Sequence, residues 1–192
     1  MGAKIVQGSL QDPRVQRSVA SILRRNVLCS MATVSPRGIA HISTAYFAYS
    51  PRLELVFFSH PDSRHSRNLT RNSTMAIALF VSSGVWGSKK PERGLQLFGR
   101  CRVASGALGK RMAELYARRF PGFWRWQQSV TRKEGRFSWR AYRFMPTSLK
   151  LFDDRLFGSG VLIVARVPET REVSGFVSHR PKYRPTETLR RL

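Results

Sequence analysis

The chain has 192 residues, 42% of them hydrophobic, with 12 Phe, 5 Tyr and 4 Trp. This composition excludes a disordered chain and can build one domain with a sizeable core. With 34 Lys and Arg against 11 Asp and Glu, the formal net charge of +23 favours a polyanionic partner: nucleic acid, an acidic lipid surface or a multiply charged cofactor. No apolar run approaches the ~20 residues of a membrane span and no apolar leader opens the chain, so we expect a soluble cytoplasmic protein with no membrane partner.

The first elements in the chain are a helix and three strands. Asp12 is a helix N-cap followed by Pro13 at the first helical position, and apolar residues then repeat at helical spacing to near Asn26. Apolar runs separated by proline-containing turns follow at residues 27–34, 39–49 and 53–59. Runs joined in this way indicate an antiparallel meander.

A short polar helix is predicted over residues 63–71. Ser63 stands at its N-cap, and the backbone N–H groups of the first turn have no intrahelical partners. Arg64, His65 and Arg67 add cations where the helix dipole is already positive, so a negative group should compensate them. We therefore predict a phosphate site in which Ser63 and the free N–H groups donate hydrogen bonds and Arg64 supplies a charged pair. The alternative is a solvated helix on a basic protein.

The second half of the chain continues the β pattern. Strands are predicted over 75–81 and 95–103, a helix over 107–120, two strand pieces broken at Pro146, and a last strand over 160–167. Strands at this spacing with short helices suggest a small barrel. Residues 1–168 should form a single domain, and residues 169–192, rich in proline and bases, an extended or disordered basic tail.

Three other features of the sequence bear on function. Phe123, Trp124 and Trp126 lie among arginines and could stack nucleic-acid bases, but packing at a barrel rim or a dimer seam is favoured because no RNA-binding signature accompanies them. Cys29 and Cys101 have no metal-type spacing to any histidine, which predicts buried free thiols. The acidic pair at 153–154 is predicted to be a solvated turn and not a catalytic dyad.

Four motifs follow one another in the first half of the chain: an ATV-x-x-x-G hairpin at 32–38, Ser-Arg-His at 63–65, RN-x-x-x-A-x-A at 71–78, and a late strand ending in Gly99. Their order and spacing resemble the pyridoxamine 5′-phosphate oxidase-like superfamily, the FMN-binding split β-barrel proteins. The resemblance implies a mainly β fold, a six- to eight-stranded antiparallel split β-barrel with a few short flanking helices.

The resemblance also implies a cofactor site. In such proteins the edge of the second strand lies along the flavin ring, the end of the next strand adds contacts, and the segment after it grips the phosphate. Family members are homodimers with the flavin at the subunit interface, so a loop such as that of Trp86 would reach the partner's cofactor. A glutamine on the late strand contacts the ring. The FMN-binding residues implied here are Ser43, Thr44, Ala45, Phe58, Ser59, Ser63, Arg64, His65, Trp86 and Gln96.

The chain also departs from true oxidases of this family. Those enzymes have an Arg and a Lys around the second strand, where this chain has Ser43 and Ala48. His65 replaces a Lys beside the phosphate, and Gly94 replaces the glutamine, with Gln96 two residues further along the same strand face. The C-terminal substrate signature of the oxidases has no counterpart. Pyridoxamine phosphate oxidation is therefore not expected.

The resemblance thus implies an FMN-dependent oxidoreductase that transfers hydride through the flavin to a small-molecule substrate. The substrate and any catalytic residue are not indicated, because the cofactor itself carries the chemistry. One alternative is an F420-dependent reductase of the same superfamily, whose polyanionic cofactor would suit the net charge. Another is a nucleic-acid-binding protein on the same barrel with no redox role.

Overall fold

The computed structural model describes residues 3–81 and 91–168. The predicted tail at 169–192 and Trp86 lie outside the described residues. The strands are β1 (Lys4–Gln7), β2 (Leu28–Val34), β3 (Ala40–Tyr46), β4 (Ala48–Tyr49), β5 (Leu55–Ser59), β6 (Thr74–Val81), β7 (Arg93–Ala104), β8 (Arg140–Asp153) and β9 (Val161–Arg166). The helices are α1 (Pro13–Arg25), α2 (Arg64–Arg71), α3 (Gly106–Arg119), α4 (Phe123–Glu134) and α5 (Asp154–Phe157).

The strands form one sheet that branches at β8. The main path runs β1-β9-β8-β7-β6-β2-β3. β7 pairs along β8, the first part of β8 also pairs with β5, and its last part pairs with β9. This branching lets the sheet curl into the predicted split β-barrel. Every strand pair is antiparallel except β1 with β9. The described residues form nine strands, whereas six to eight were expected.

The helix starts follow the sequence signals. The Asp12 carboxylate accepts a hydrogen bond of 2.8 Å from Arg14 N at the start of α1. Ser63 caps α2 by accepting from Ser66 N. Both caps satisfy N–H groups that the first turn leaves free, which confirms the two predicted starts.

Two predicted elements differ from the structure, and one helix was not predicted. The strand expected over 39–49 is interrupted at Phe47, whose ring is fully buried, so β3 pairs with β2 while β4 pairs with β5. The expected break at Pro146 is wrong: β8 continues because Pro146 faces Gly99 at a β-bulge, where a missing N–H is tolerated. The helix without a prediction is α4, which begins at Phe123 although its first residues are aromatic.

Gly99 is required by the bulge. A Cβ at this position would meet the carbonyl oxygen of Met145 and lie 2.6 Å from Pro146 Cα, both main-chain atoms. We expect Gly99→Ala to lower the free energy of unfolding by about 2 kcal/mol, as overpacking does. Urea denaturation measures this free energy of unfolding. The control is Gly122→Ala, where the backbone is helical and no atom lies within 4 Å of the added carbon. Equal stability of the two variants would contradict the conclusion that the bulge leaves no room for a Cβ at Gly99.

The core consists of two clusters. The main one lies between α1 and the inner face of the sheet and includes Cys29 and Cys101, which are buried free thiols as predicted. Burial raises the pKa of Cys29 to about 12, so this thiol is not reactive at neutral pH. The smaller cluster packs α3 on β4, β5 and β8; its members include Val56, Met112 and Leu115. This second cluster fixes the α3–α4 hairpin over the end of β5.

Candidate functional site

A cavity of about 1020 Å³ lies between the ends of β3 and β5, the start of α2 and the α3–α4 turn. Its volume is at the upper end of the ~300–1,000 Å³ of small-molecule sites. On the barrel side it is lined by Val27, Thr44, Ala45 and Tyr46. The remaining wall divides into two regions of different chemistry, a polar end and an aromatic lobe.

The polar end comprises Ser59, Ser63 and His65. Ser59 Oγ lies 2.9 Å from Ser63 Oγ and 2.7 Å from His65 Nε2, and Ser63 Oγ lies 3.1 Å from the same nitrogen. Ser66 stands behind them, accepting from Ser63 at 2.7 Å and donating to Ser59 at 3.3 Å. Three hydroxyls and an imidazole thus converge beside the N-terminus of α2, where backbone N–H groups favour an anion.

Contacts with β2 and the main core cluster fix the position of α2. Asn68 Nδ2 donates to Thr33 Oγ1 of β2 at 3.0 Å, and both residues are buried. Leu69 joins the main core cluster beside them. The first turn of α2 is therefore held at a set place relative to the barrel, and with it the polar end.

His65 is held as a neutral imidazole. Its ring stacks on His41 with centroids 6.4 Å apart and meets the edge of Phe57 at 6.1 Å. Burial lowers the pKa of His65, and the neighbouring His41 lowers it further. A neutral ring keeps one N–H donor and one acceptor nitrogen among the serine hydroxyls.

This lowered pKa predicts a pH dependence of stability. Below about pH 6.5 the unfolded chain protonates this imidazole before the folded protein does, so its contribution is complete above that pH and is lost as pH falls toward the folded pKa. We expect the free energy of unfolding to fall more steeply between about pH 7 and pH 5 in the wild type than in His65→Gln. Urea denaturation at several pH values gives both slopes. Parallel slopes would refute a buried neutral His65.

The aromatic lobe comprises Phe58, Tyr116, Phe120, Phe123, Trp126 and Trp139. Its rings contact one another directly: Phe58 lies 4.6 Å from Phe123 and 5.0 Å from Tyr116, and Trp126 lies 5.1 Å from Trp139, all between centroids. Tilted and edge-on pairs at these distances are favourable. The lobe is thus a rigid wall of ring faces and edges.

Arg119 lies where α3 ends, and it is the one charged side chain among the described residues that line the cavity. It is 3% exposed. Its Nη2 donates to the carbonyl oxygens of Leu23, at 2.8 Å, and of Asn26, at the end of α1. The guanidinium stands 4.7 Å from the ring centroids of Phe47 and Tyr49. Burial lowers its pKa, yet a guanidinium stays protonated at neutral pH.

The structure brings six of the ten sequence-predicted residues to the cavity wall: Thr44, Ala45, Phe58, Ser59, Ser63 and His65. Ser43 is not among the lining residues; its buried Oγ has no hydrogen-bond partner in the described structure. Arg64 is exposed and does not line the cavity, so its charged pair with a phosphate stays a prediction. Gln96 is exposed on β7 opposite Ala78, outside the cavity.

Sequence reasoning missed Arg119 and, apart from Phe58, the aromatic lobe as parts of a site. The sequence pattern favours packing at a barrel rim or a dimer seam for Phe123 and Trp126. The signal that could have found the lobe is the run from 116 to 126, in which four further aromatics follow Tyr116 around a helix end and a Pro-Gly turn. Arg119 carried no signal of its own among the 34 basic residues.

Within residues 3–81 and 91–168, no group of three or more His, Cys, Asp or Glu side chains could hold a metal ion. No helix in those ranges is both long enough and apolar enough to cross a membrane.

Solved structures share this architecture. A conserved hypothetical protein from Mycobacterium tuberculosis superimposes with a TM-score of 0.60 at 16% identity, over 74% of this chain and 87% of that one. The heme storage protein HutZ from Vibrio cholerae gives 0.55 at 16% identity, over 69% and 90%. A heme binding protein from Mycobacterium smegmatis gives 0.56 at 12% identity, over 77% of this chain and 57% of its own. These similarities establish the shared fold.

Comparisons of sequence address the family directly. No curated protein matches the chain significantly. A family model described as pyridoxamine 5′-phosphate oxidase matches residues 15–141. This match includes α1, the barrel strands that carry the polar end, and the α3–α4 hairpin. It covers well over half of the chain, which therefore belongs to the pyridoxamine 5′-phosphate oxidase family.

Proposed function

We propose that this protein binds FMN in the cavity and acts as a flavin-dependent oxidoreductase. The observation that carries the proposal is the polar end, where Ser59, Ser63 and His65 lie within 2.7–3.1 Å of one another beside the start of α2. Hydroxyls and an imidazole with no carboxylate in the described cavity wall are a donor set suited to a phosphate monoester. FMN, when bound, supplies hydride transfer with a small-molecule substrate.

The chain's own residues would bind and orient the cofactor. Ser59 and Ser63 would donate to the phosphate oxygens, and His65 would present its N–H. Thr44 and Ala45, on the strand that edges the cavity, would lie along the ring. Each hydrogen bond to a charged group contributes roughly 1.5–3 kcal/mol, so a few such bonds suffice for micromolar affinity.

We further propose that the protein is a homodimer through the outer face of β3, β2, β6 and β7. Thr44, Ser30, Ala78 and Gln96 form one row across these strands and are all exposed. Exposed apolar side chains adjoin the row, among them Ile42 at 71% exposure. Exposed large apolar side chains on a sheet face are typical of interaction sites, and a second copy would cover them. Gln96 would then reach the cofactor across the interface.

Heme binding is a second candidate function. His60 and His65 both line a cavity whose far wall is aromatic, and imidazole is a ligand of heme iron. Heme is flat and its protein-bound forms sit among apolar and aromatic side chains. Two of the structurally similar proteins bind or store heme. The serine-rich polar end favours a phosphorylated cofactor over heme.

The visible spectrum of the purified protein tests these readings together. Samples are incubated with FMN, FAD, F420 or hemin, freed of excess ligand and scanned. Retained FMN bands support the proposal. Retention of F420 or hemin alone would replace FMN with that cofactor. If none is retained, the redox function fails, and binding of nucleic acid that weakens steeply with salt becomes the expectation from the net charge.

A further inference from the structure

The α3–α4 hairpin carries a surface that the proposed cofactor site does not use. α3 ends at Arg119, residues 120–122 form the turn, and α4 begins at Phe123. Two helices joined by a three-residue turn that contains a glycine have the connectivity of a helix-turn-helix unit, whose second helix enters the major groove of DNA. We propose that α4 binds duplex DNA by lying in its major groove. The proposal does not depend on the flavin function.

One face of α4 packs on the barrel and leaves the opposite face exposed. Phe123 is the one buried residue of this helix. The centroid of its ring lies 4.6 Å from that of Phe58, and Trp126, one turn further, lies 5.1 Å from Trp139. These contacts fix the helix on the barrel. The outer face of α4, opposite them, consists of exposed residues: Trp124, Arg125, Gln128, Thr131 and Arg132.

The side chains of the outer face are of the types that contact base edges. A groove of about 320 Å³ lies along this face and is lined by Gln127, Gln128, Thr131 and Arg132. In the major groove, glutamine pairs with adenine, arginine pairs with guanine, and a threonine hydroxyl contacts either base. An α-helix is about 10–12 Å in diameter and the major groove is about 12 Å wide, so α4 fits between the two strands.

The charge around the outer face favours a polyanion. Arg125 and Arg132 lie seven residues apart, about 10.5 Å along the helix axis. Neither forms an ion pair with a carboxylate of the described residues. The carboxylate of Glu134, the one acidic residue of α4, accepts a hydrogen bond of 2.6 Å from Ser138. Against this residue and Glu114, the hairpin and the residues after it add further exposed cations: Lys110, Arg111, Arg118, Lys133 and Arg136.

Duplex DNA fits this surface better than two other polyanions do. The major groove of a duplex RNA is too deep and narrow for side chains to reach the bases. A helix that lies in an anionic membrane inserts an apolar face, whereas the apolar side of α4 packs on the barrel. The outer face exposes one large apolar side chain, that of Trp124, at 43%. The partner that matches both the shape and the hydrogen-bonding groups is therefore duplex DNA.

The test compares two variants of equal charge, because the net charge of +23 alone attracts any polyanion. The α4 variant is Arg125→Gln with Arg132→Gln. Its control is Arg17→Gln with Arg24→Gln, which removes two exposed arginines, also seven residues apart, from α1. The anisotropy of a short fluorescein-labelled DNA duplex, titrated at several salt concentrations, gives the affinities. Thermal unfolding checks that both variants are folded.

We expect the α4 variant to bind the duplex at least about tenfold more weakly than the wild type does. The slope of log affinity against log salt should become shallower by about 2, because two phosphate contacts are lost. The α1 control should change the affinity by less than about threefold. Equal losses in the two variants would overturn the proposal, since binding would then follow net charge alone.

Dimethyl sulfate footprinting on a duplex selected from a random pool tests which groove is bound. This reagent methylates guanine N7, an atom of the major groove, and we expect the wild type to protect it. Gln128→Ala leaves the net charge unchanged and should relax the base preference at one position. Duplex RNA and phosphatidylglycerol vesicles serve as competitors. If either displaces the labelled duplex as effectively as unlabelled DNA does, or if N7 stays open to methylation, the proposal is wrong.

Discussion

Replacing Ser63 with Asp is expected to weaken FMN binding by at least about a hundredfold, or ~2.7 kcal/mol, while leaving the fold intact. Aspartate caps a helix as well as serine does, so α2 keeps its start. The new carboxylate would face the phosphate in place of a hydroxyl that donates to it. Titration of FMN fluorescence against each protein gives the affinity. The expected loss combines a missing hydrogen bond with repulsion between like charges.

Ser63→Asn is the matched control for this change. Asparagine has the shape of aspartate, caps helices and carries no charge. We expect it to bind FMN far more tightly than Ser63→Asp does. Riboflavin, which has no phosphate, should bind wild type and Ser63→Asp alike. If Ser63→Asp binds FMN as tightly as the wild type does, the phosphate does not lie at the start of α2.

The largest expected effect on stability comes from Arg143→Met, at about 3 kcal/mol. Glu54 follows the β4–β5 turn and accepts hydrogen bonds from Arg143 of β8, at 2.9 Å from Nε and also from Nη2, and from Ser50 Oγ at 3.0 Å. The Glu54 side chain is only 11% exposed. Loss of Arg143 would leave this carboxylate buried without its cation, and the melting temperature should fall by roughly 6–12 °C.

Two controls separate the lost pair from a lost side chain. Arg102→Met removes an exposed arginine directly opposite Arg143 on β7 and should change stability by less than ~0.5 kcal/mol. The double variant Glu54→Gln with Arg143→Met leaves no unpaired charge and should recover part of the loss. Differential scanning calorimetry measures all three. If Arg143→Met is as stable as the wild type, solvent already hydrates the Glu54 carboxylate.

Much of the fold was predictable because its signals are local. Asp12 and Ser63 each mark a helix start by the side chain that caps it, and the alternation of apolar residues places most strands within one or two residues. β1 could not be predicted, because its four residues form a strand only by pairing with β9, whose sequence lies more than 150 positions away. The predicted strand break at Pro146 was wrong because the bulge that accommodates this proline is formed by Gly99 on another strand.

The candidate site also has a part that local sequence signals predict and a part that depends on contacts between distant residues. Ser59, Ser63 and His65 lie within seven consecutive residues, so a strand end followed by a helix start was enough to bring them together. Arg119 and the lobe residues other than Phe58 lie about 50 to 75 residues further on, and only the packing of α3 on β5 carries them to the same cavity. Periodicity identified α3 as a helix but could not say what its last turn would face.

The branch of the sheet at β8 orders events during synthesis. Glu54 and Arg143 are 89 positions apart, and β5 has no partner except the two-residue β4 until the first part of β8 has been made. Closing so long a loop is slow, so the β2–β3 and β6–β7 pairings can form well before it. A ribosome-bound chain that ends after β7 holds every residue of the polar end, yet lacks the strand that fixes β5 beside α2. Binding of the proposed cofactor would thereby be deferred until nearly the whole barrel has left the ribosome.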